Sequence, residues 1–247
     1  MTLLEMVQDI LSDMDSDEVN SIGDTLESLQ VAQIIRTTYS NIIDGKEWPH
    51  LNKLFQLEAS IDVARPTHMR LPTQIIDAKY IKYNNKKTAG AFDLYTVIEY
   101  KTPVEFMRVV DARKSTSSTI LSVLDFTNVR LNILNNRGPT LYTSFDNEYI
   151  IFDSYNLALE STLQTSKTQV YGKENPVWVV ADSFIPNLPV QSFSYLLNEA
   201  KAVAFVILKQ VVNPKAEQHS ITQRRRMSEE AWRLKNGITF ADYGRKT

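Results

Sequence analysis

A chain of 247 residues, 43% hydrophobic and 23% charged, is long enough to bury a sizeable core as one large or two modest domains, and its composition is not that of a disordered protein. It contains no cysteine, which excludes disulfides and thiolate metal sites and points to a reducing compartment. The net charge of −2 is unevenly spread: residues 1–50 hold ten acids against two bases (Arg36, Lys46), and residues 189–247 hold five acids against ten bases. Ends of opposite sign favour mutual attraction or head-to-tail contacts between copies, although charge alone favours two solvated helical faces.

The start, MTLLEMVQDILSDMDSDE, lacks a basic n-region or a cleavage site, so no secretory leader is expected. No apolar run approaches the roughly 20 residues of a membrane span. Leu3, Leu4, Val7, Ile10, Leu11 and Met14 recur at helical spacing. SDMDSDEVNSIGD breaks that pattern, and Asp24 with Glu27 predicts a capping box. A second helix then carries Leu26, Leu29, Ile35, Tyr39 and Ile42 or Ile43, and stops near Gly45.

From 52 to 186 the period changes to two. FQLEASI, AKYIKY, DLYTVIEY, RLNIL, TLYTSF, EYIIFD and QVYGKENPVWVVAD read as strands, with turns at Asn135–Pro139 and at Asp146 and Asn147. Their close succession predicts an antiparallel sheet or small barrel. One helix interrupts them, with Thr102 as N-cap, Pro103 in the first position and Glu105 closing the box. The last segment, 187–236, is predicted as a long helix kinked near Pro214, with a kink or break at about Asn213, because proline removes a donor and clashes with the preceding turn. Asn236 and Gly237 form its natural stop, leaving 237–247 as a tail. The expected fold is α+β: an N-terminal helix pair (1–51) and the C-terminal helix packed as a helical bundle, with an antiparallel β-rich domain (52–186) inserted between them.

The pattern of chemistry-bearing residues is mostly negative. His50, His68 and His219 lack the spacing that aims a pair at one metal. Seven glycines form neither a phosphate-binding loop nor a dinucleotide fingerprint, and no GxSxG elbow exists. SDMDSDE lacks the glycine and terminal glutamate of a calcium loop, and reads as a solvated inter-helix loop. Asp146, Glu148 and Asp153 stand as a candidate carboxylate site, although Asp146 and Asn147 also suit a turn for local reasons. Arg224, Arg225 and Arg226 would fan across roughly 200° of a helix rather than form a stripe. They also suit the C-terminal end of a helix dipole, or bidentate pairing across a protein interface. Beyond Gly237 the tail carries Ile238, Phe240 and Tyr243, a composition that either frays or docks on a partner.

Several stretches, RLPTQIIDAKYIKY, YKTPVEFMRVV, NNRGPTLYTSFDNEYIIFDSYN, LQTSKTQVYG and FIPNLPVQSFSYLLNEAKAVAFVILKQVVNPKAEQHSITQRRR with its NGITFADYGR ending, span most of the chain from Arg70 onward. In arrangement the sequence resembles the head-to-tail adaptor proteins of short-tailed bacteriophages, the tail tubular protein A or gatekeeper-like family. The resemblance implies a structural virion protein with no enzymatic activity, cofactor or metal. It implies twelve copies in a ring beneath the portal protein, continuing the DNA channel and carrying the tail nozzle (tail tubular protein B-like). The location implied is the head–tail junction of the virion, with assembly in the host cytoplasm, no membrane partner and no sequence-specific DNA binding. The portal-binding role would fall on Arg224, Arg225, Arg226, Trp232, Phe240, Tyr243 and Arg245. A channel through which DNA slides suits acidic or mixed walls better than a continuous basic lining. The competing readings are another nozzle or stopper ring, a nucleic-acid-binding module using Arg224–Arg226, and a glycan hydrolase built on two carboxylates.

Overall fold

The computed structural model describes residues 1–45, 47–86 and 92–236, the stretch 228–236 by its backbone alone. The elements in chain order are α1 (Leu3–Asp13), α2 (Leu26–Asp44), β1 (Asn52–Phe55), β2 (His68–Arg70), β3 (Ile75–Asn84), β4 (Tyr95–Tyr100), α3 (Pro103–Asp111), β5 (Ile120–Leu124), β6 (Arg130–Leu134), β7 (Leu141–Thr143), β8 (Tyr149–Phe152), β9 (Thr168–Glu174), α4 (Phe193–Lys209) and α5 (Pro214–Asn236). The chain is therefore a mixed α+β protein. It divides into two compact units, one of Met1–Leu51 with the chain from Pro176 onward, the other of Asn52–Asn175.

In the helical unit, Thr2 caps α1 and Glu5 closes the box, so two orphan N–H groups are satisfied reciprocally. The cap of α2 is Thr25 with Ser28, one residue later than the Asp24–Glu27 pair that the sequence suggests. Asp24 instead accepts from the amides of Asn20 and Ser21, which shapes the preceding turn. Leu3, Met6, Val7 and Ile10 of α1 share one core with Val31, Ile35 and Tyr39 of α2 and with Leu196, Ala200 and Ala204 of α4. Each fully buried aliphatic contributes about 1.5–3 kcal/mol relative to exposure.

Residues 176–186 belong to this unit and not to the β-rich stretch that their alternation suggested. The Leu3 amide donates to the Phe184 carbonyl at 2.7 Å, and the Ile22 amide donates to the Asp182 carboxylate at 2.9 Å. Trp178 packs between Tyr39 and Phe184, with ring centroids at 5.2 and 4.8 Å. Covering the helical core outweighs strand propensity there, and β9 stops at Glu174.

The C-terminal segment breaks ahead of Pro214 and is not one kinked helix. Gln210 adopts a left-handed conformation (φ 56°) that ends α4, and α5 starts at Pro214. The chain reverses there. Asn198 donates to Gln223 at 3.2 Å and Ser220 bonds Glu199, so α5 runs antiparallel to α4. Among the described side chains of α5, Ala216, Ser220 and Met227 are buried.

In the second unit one seven-stranded sheet has the order β1-β9-β3-β4-β7-β8-β2, and β5–β6 form a separate hairpin. The sheet is not wholly antiparallel, because β4 and β7 pair in parallel through Glu99 with Leu141 and Tyr100 with Tyr142. Parallel neighbours require a long crossover, here supplied by α3 and the β5–β6 hairpin. Thr102, Pro103 and Glu105 cap α3 as the sequence predicts. The Asn135–Pro139 turn therefore leads from one sheet to the other instead of joining paired strands. β3 carries two register irregularities opposite β9, and a Cβ at Gly172 would collide with the Asp77 carbonyl there. The core of this unit gathers Ile81, Ile98, Phe106, Leu131, Ile133, Ile151, Phe152 and Val170.

Candidate interaction surface

The three histidines lie on different elements and make different contacts. His50 Nε2 bonds the Asn187 carbonyl at 3.0 Å. His68 is fully buried on β2 and meets Asp125 Oδ1 at 3.0 Å. Burial is the larger influence and depresses His68 below its ordinary value, against the pull of Asp125. On Asp125 burial is outweighed by hydrogen bonds from His68, Phe126 and Thr127, which hold the carboxyl below its usual range. A neutral imidazole donating Nε2–H to a carboxylate fits both directions. This pair ties β2 to the loop after β5, and its other nitrogen, Nδ1, is buried with no partner. His219 lies on α5. Among the described residues no three His, Cys, Asp or Glu side chains converge as a metal site.

The carboxylates Asp146, Glu148 and Asp153 serve three separate roles. Asp146 accepts the amides of Glu148 and Tyr149 in the turn after β7, where Asn147 takes φ 62°. Glu148 pairs with Arg70 at 2.9 Å on the surface. Asp153 is fully buried: it accepts from the amides of Thr140 and Leu141 at 2.9 Å each and from Arg113 at 2.8 Å. A carboxylate so saturated holds strands together and has no lone pair left for general-base work.

A cleft of about 400 Å³ lies beside the β3 irregularities, with Tyr100 and Tyr142 (ring centroids 5.4 Å apart), Ile76 and Asp77 on its wall. Nearby strands expose a cross-strand row of Leu54, Tyr171 and Tyr80. The cleft is also lined by Lys79, Ser144 and Asn147, and the Ser144 hydroxyl donates to the Tyr149 carbonyl at 2.7 Å.

The acidic and basic ends of the chain meet partly within one copy. Lys201 of α4 bridges Asp9 and Asp13 of α1 at 2.8 and 2.6 Å. Burial alone would lower the Lys201 ammonium, but its bonds to Asp13 and Asp9 outweigh that and raise it. Lys209 faces Glu27 at 3.7 Å. Asp15, Asp17 and Glu18 line a concavity of about 480 Å³ that follows α1.

The exposed side of the α4–α5 hairpin is apolar. Tyr195, Leu196, Ala200 and Ala204 bury one face of α4, yet Val206 and Ile207 stay 48% and 59% exposed, and Ile221 of α5 is 70% exposed. Val203, Val206, Ile207 and Ile221 line one open groove of about 400 Å³, rimmed by Glu199 and Glu217. A helix apolar on every side is normally enclosed. VAFVIL (Val203–Leu208) held this signal, since it offers no polar face, but helical periodicity alone passes over it.

Arg224, Arg225 and Arg226 are exposed on α5, and Arg224 lines a small cavity with Tyr195 and Met227. Trp232 lies on the α5 backbone, its side chain outside the described residues, as are Phe240, Tyr243 and Arg245 altogether. No helix among the described residues is long and apolar enough to cross a membrane. Neither the scan against protein-family models nor the search of curated proteins finds a match to this chain.

Proposed function

We propose that this chain is a structural assembly protein, a head-to-tail adaptor of a short-tailed phage that joins the portal ring to the tail nozzle and continues the DNA channel. In this reading α1, α2, α4 and α5 are the helical bundle of the adaptor, and the β-rich unit is its insertion. Copies form a ring, twelve by the family likeness, and the segment after Pro214 meets the portal. The protein carries out no catalysis and needs no cofactor.

The observation that carries the reading is α4. Its outer face leaves branched aliphatics in water beside a groove of their own kind. Exposed apolar surface rimmed by polar residues marks a contact with another macromolecule. A ring uses one heterologous contact repeatedly, so each copy must present two different surfaces. The dispersed roles of the histidines and carboxylates support assembly over a hydrolytic site.

The test is the native mass of the full chain, alone and mixed with portal rings. A ring on the portal supports the proposal, and a chain that stays monomeric beside portal rings refutes it. The competing nucleic-acid reading predicts tight, salt-dependent binding of random duplex by the isolated chain. The adaptor reading predicts weak binding.

A further inference from the structure

We infer that the turn between β5 and β6 is a latch on the edge strand β2, and that acid releases it. This holds or fails independently of the assembly reading.

The latch joins two separate sheets. β5 and β6 form a hairpin of their own, and β2 is the last strand of the seven-stranded sheet. The body of the hairpin is anchored by Val123, Leu131 and Ile133 in the core and by Arg113, which donates to the Asn132 carbonyl at 3.1 Å. The turn, residues 125–129, is held differently. Asp125 meets His68 Nε2 at 3.0 Å, and Arg65 Nε donates to the Leu124 carbonyl at 3.0 Å. Phe126 lies edge-on to the His68 ring, with the Arg65 guanidinium over its face. Leu124, Phe126 and Val129 remain exposed even so. Freeing the turn uncovers little apolar surface, so these few contacts decide whether it stays shut.

A proton on His68 turns its own contact against closure. The neutral ring donates Nε2–H to Asp125 and leaves Nδ1 as a buried acceptor with no partner. Protonation places an N–H on Nδ1, where no acceptor waits, and puts a charge in a site shut off from water.

The surrounding charges do not cancel that penalty. Burial of the ring is the largest influence; Asp125 in the turn and Asp146 between β7 and β8 favour the proton, and Arg65 ahead of β2 opposes it. Burial prevails and keeps His68 below its ordinary value. The remaining charges nearby are spent on each other, Asp62 on Arg65 and Glu148 on Arg70. Once the turn lifts, the ring meets water and binds its proton near pH 6.5. Below about that pH the open form therefore holds more protons than the closed one, and acid favours opening.

Hydrogen exchange of the full chain, read by mass spectrometry at pH 7.5 and 5.5 and corrected for the intrinsic rate at each pH, tests the latch. The expected result is a loss of protection of about tenfold confined to the turn and to residues 65–70, while α1 and α2 keep theirs. In His68→Gln the side-chain amide still donates to Asp125 but does not titrate, so protection should be equal at both pH values. Where that variant does not fold, NMR of the 13C-labelled His68 ring in the wild type decides, and the ring should stay neutral for as long as the turn is closed. Equal protection at both pH values in the wild type, or a loss shared by the whole chain, would overturn the inference. So would a pH dependence that survives His68→Gln, or a ring protonated at pH 5.5 beneath an intact turn.

Discussion

Asp153 and His68 show how the β-rich unit spends its polar residues. Asp153 and Arg113 form an ion pair in which the carboxylate is fully buried and two further amides satisfy it. Arg113 also donates to the Asp153 carbonyl at 2.7 Å and to that of Asn132 at 3.1 Å, so it joins β6 to β8. Replacing Asp153 by alanine leaves the guanidinium uncompensated, at an expected cost of roughly 3–5 kcal/mol in urea unfolding. A change under about 1 kcal/mol would mean that water replaces the carboxylate. His68 gives a pH signature. Its folded value is depressed, so the unfolded chain binds more protons below about pH 6.5. Stability contributed by this residue is therefore present above that pH and is lost as pH falls through the folded value. The stability of wild type relative to His68→Leu should fall on acidification from pH 7.5 to 5, and a constant difference in melting temperature would show that His68 binds its proton equally in the folded and unfolded states.

At the scale of elements, local chemistry sets the helix starts. Thr102→Ala should cost about 1 kcal/mol, read by the midpoint of urea unfolding, because it removes the acceptor for the Glu105 amide. That cap was legible in TPVE, since a capping box needs only residues three apart. The periods of α1, α2 and α4 were legible for the same reason. What escaped the sequence depends on distant partners. Residues 176–186 alternate like a strand but are held by the amides and rings of α1 and α2. The reversal at Gln210 needs a left-handed residue that is neither glycine nor asparagine, so no residue type announced it. The parallel β4–β7 pair depends on how α3 and a hairpin cross between them, which alternation cannot report. The candidate surface was half legible: the arginines stood out, but the exposed aliphatics of α4 looked like core until α5 was seen to cover only part of them. Ile207→Asp should leave the melting temperature within about 2 °C, since a surface change lies within about 0.5 kcal/mol, yet abolish ring formation on the portal. A variant that assembles normally would remove the groove from the interface.

At the scale of the molecule, opposite charge at the two ends serves first to close the helical unit and only then to offer a surface outward. Lys201 and Lys209 offset Asp9, Asp13 and Glu27 of the first segment, and Asp15, Asp17 and Glu18 line the concavity after α1. Deleting residues 237–247 tests the portal-docking role assigned to Phe240, Tyr243 and Arg245. The shortened chain should melt like the full one, because eleven residues with three large apolar side chains add little core, and it should fail to attach to portal rings. Normal attachment would move the docking role to other residues.

The central claim is that this chain acts by fitting copies of itself onto a portal. Electron microscopy of purified portal rings with and without the chain, combined with native mass measurement, tests it most directly. The account predicts an added closed layer of one chain per portal subunit. Bare portal rings beside a monomeric chain would contradict it.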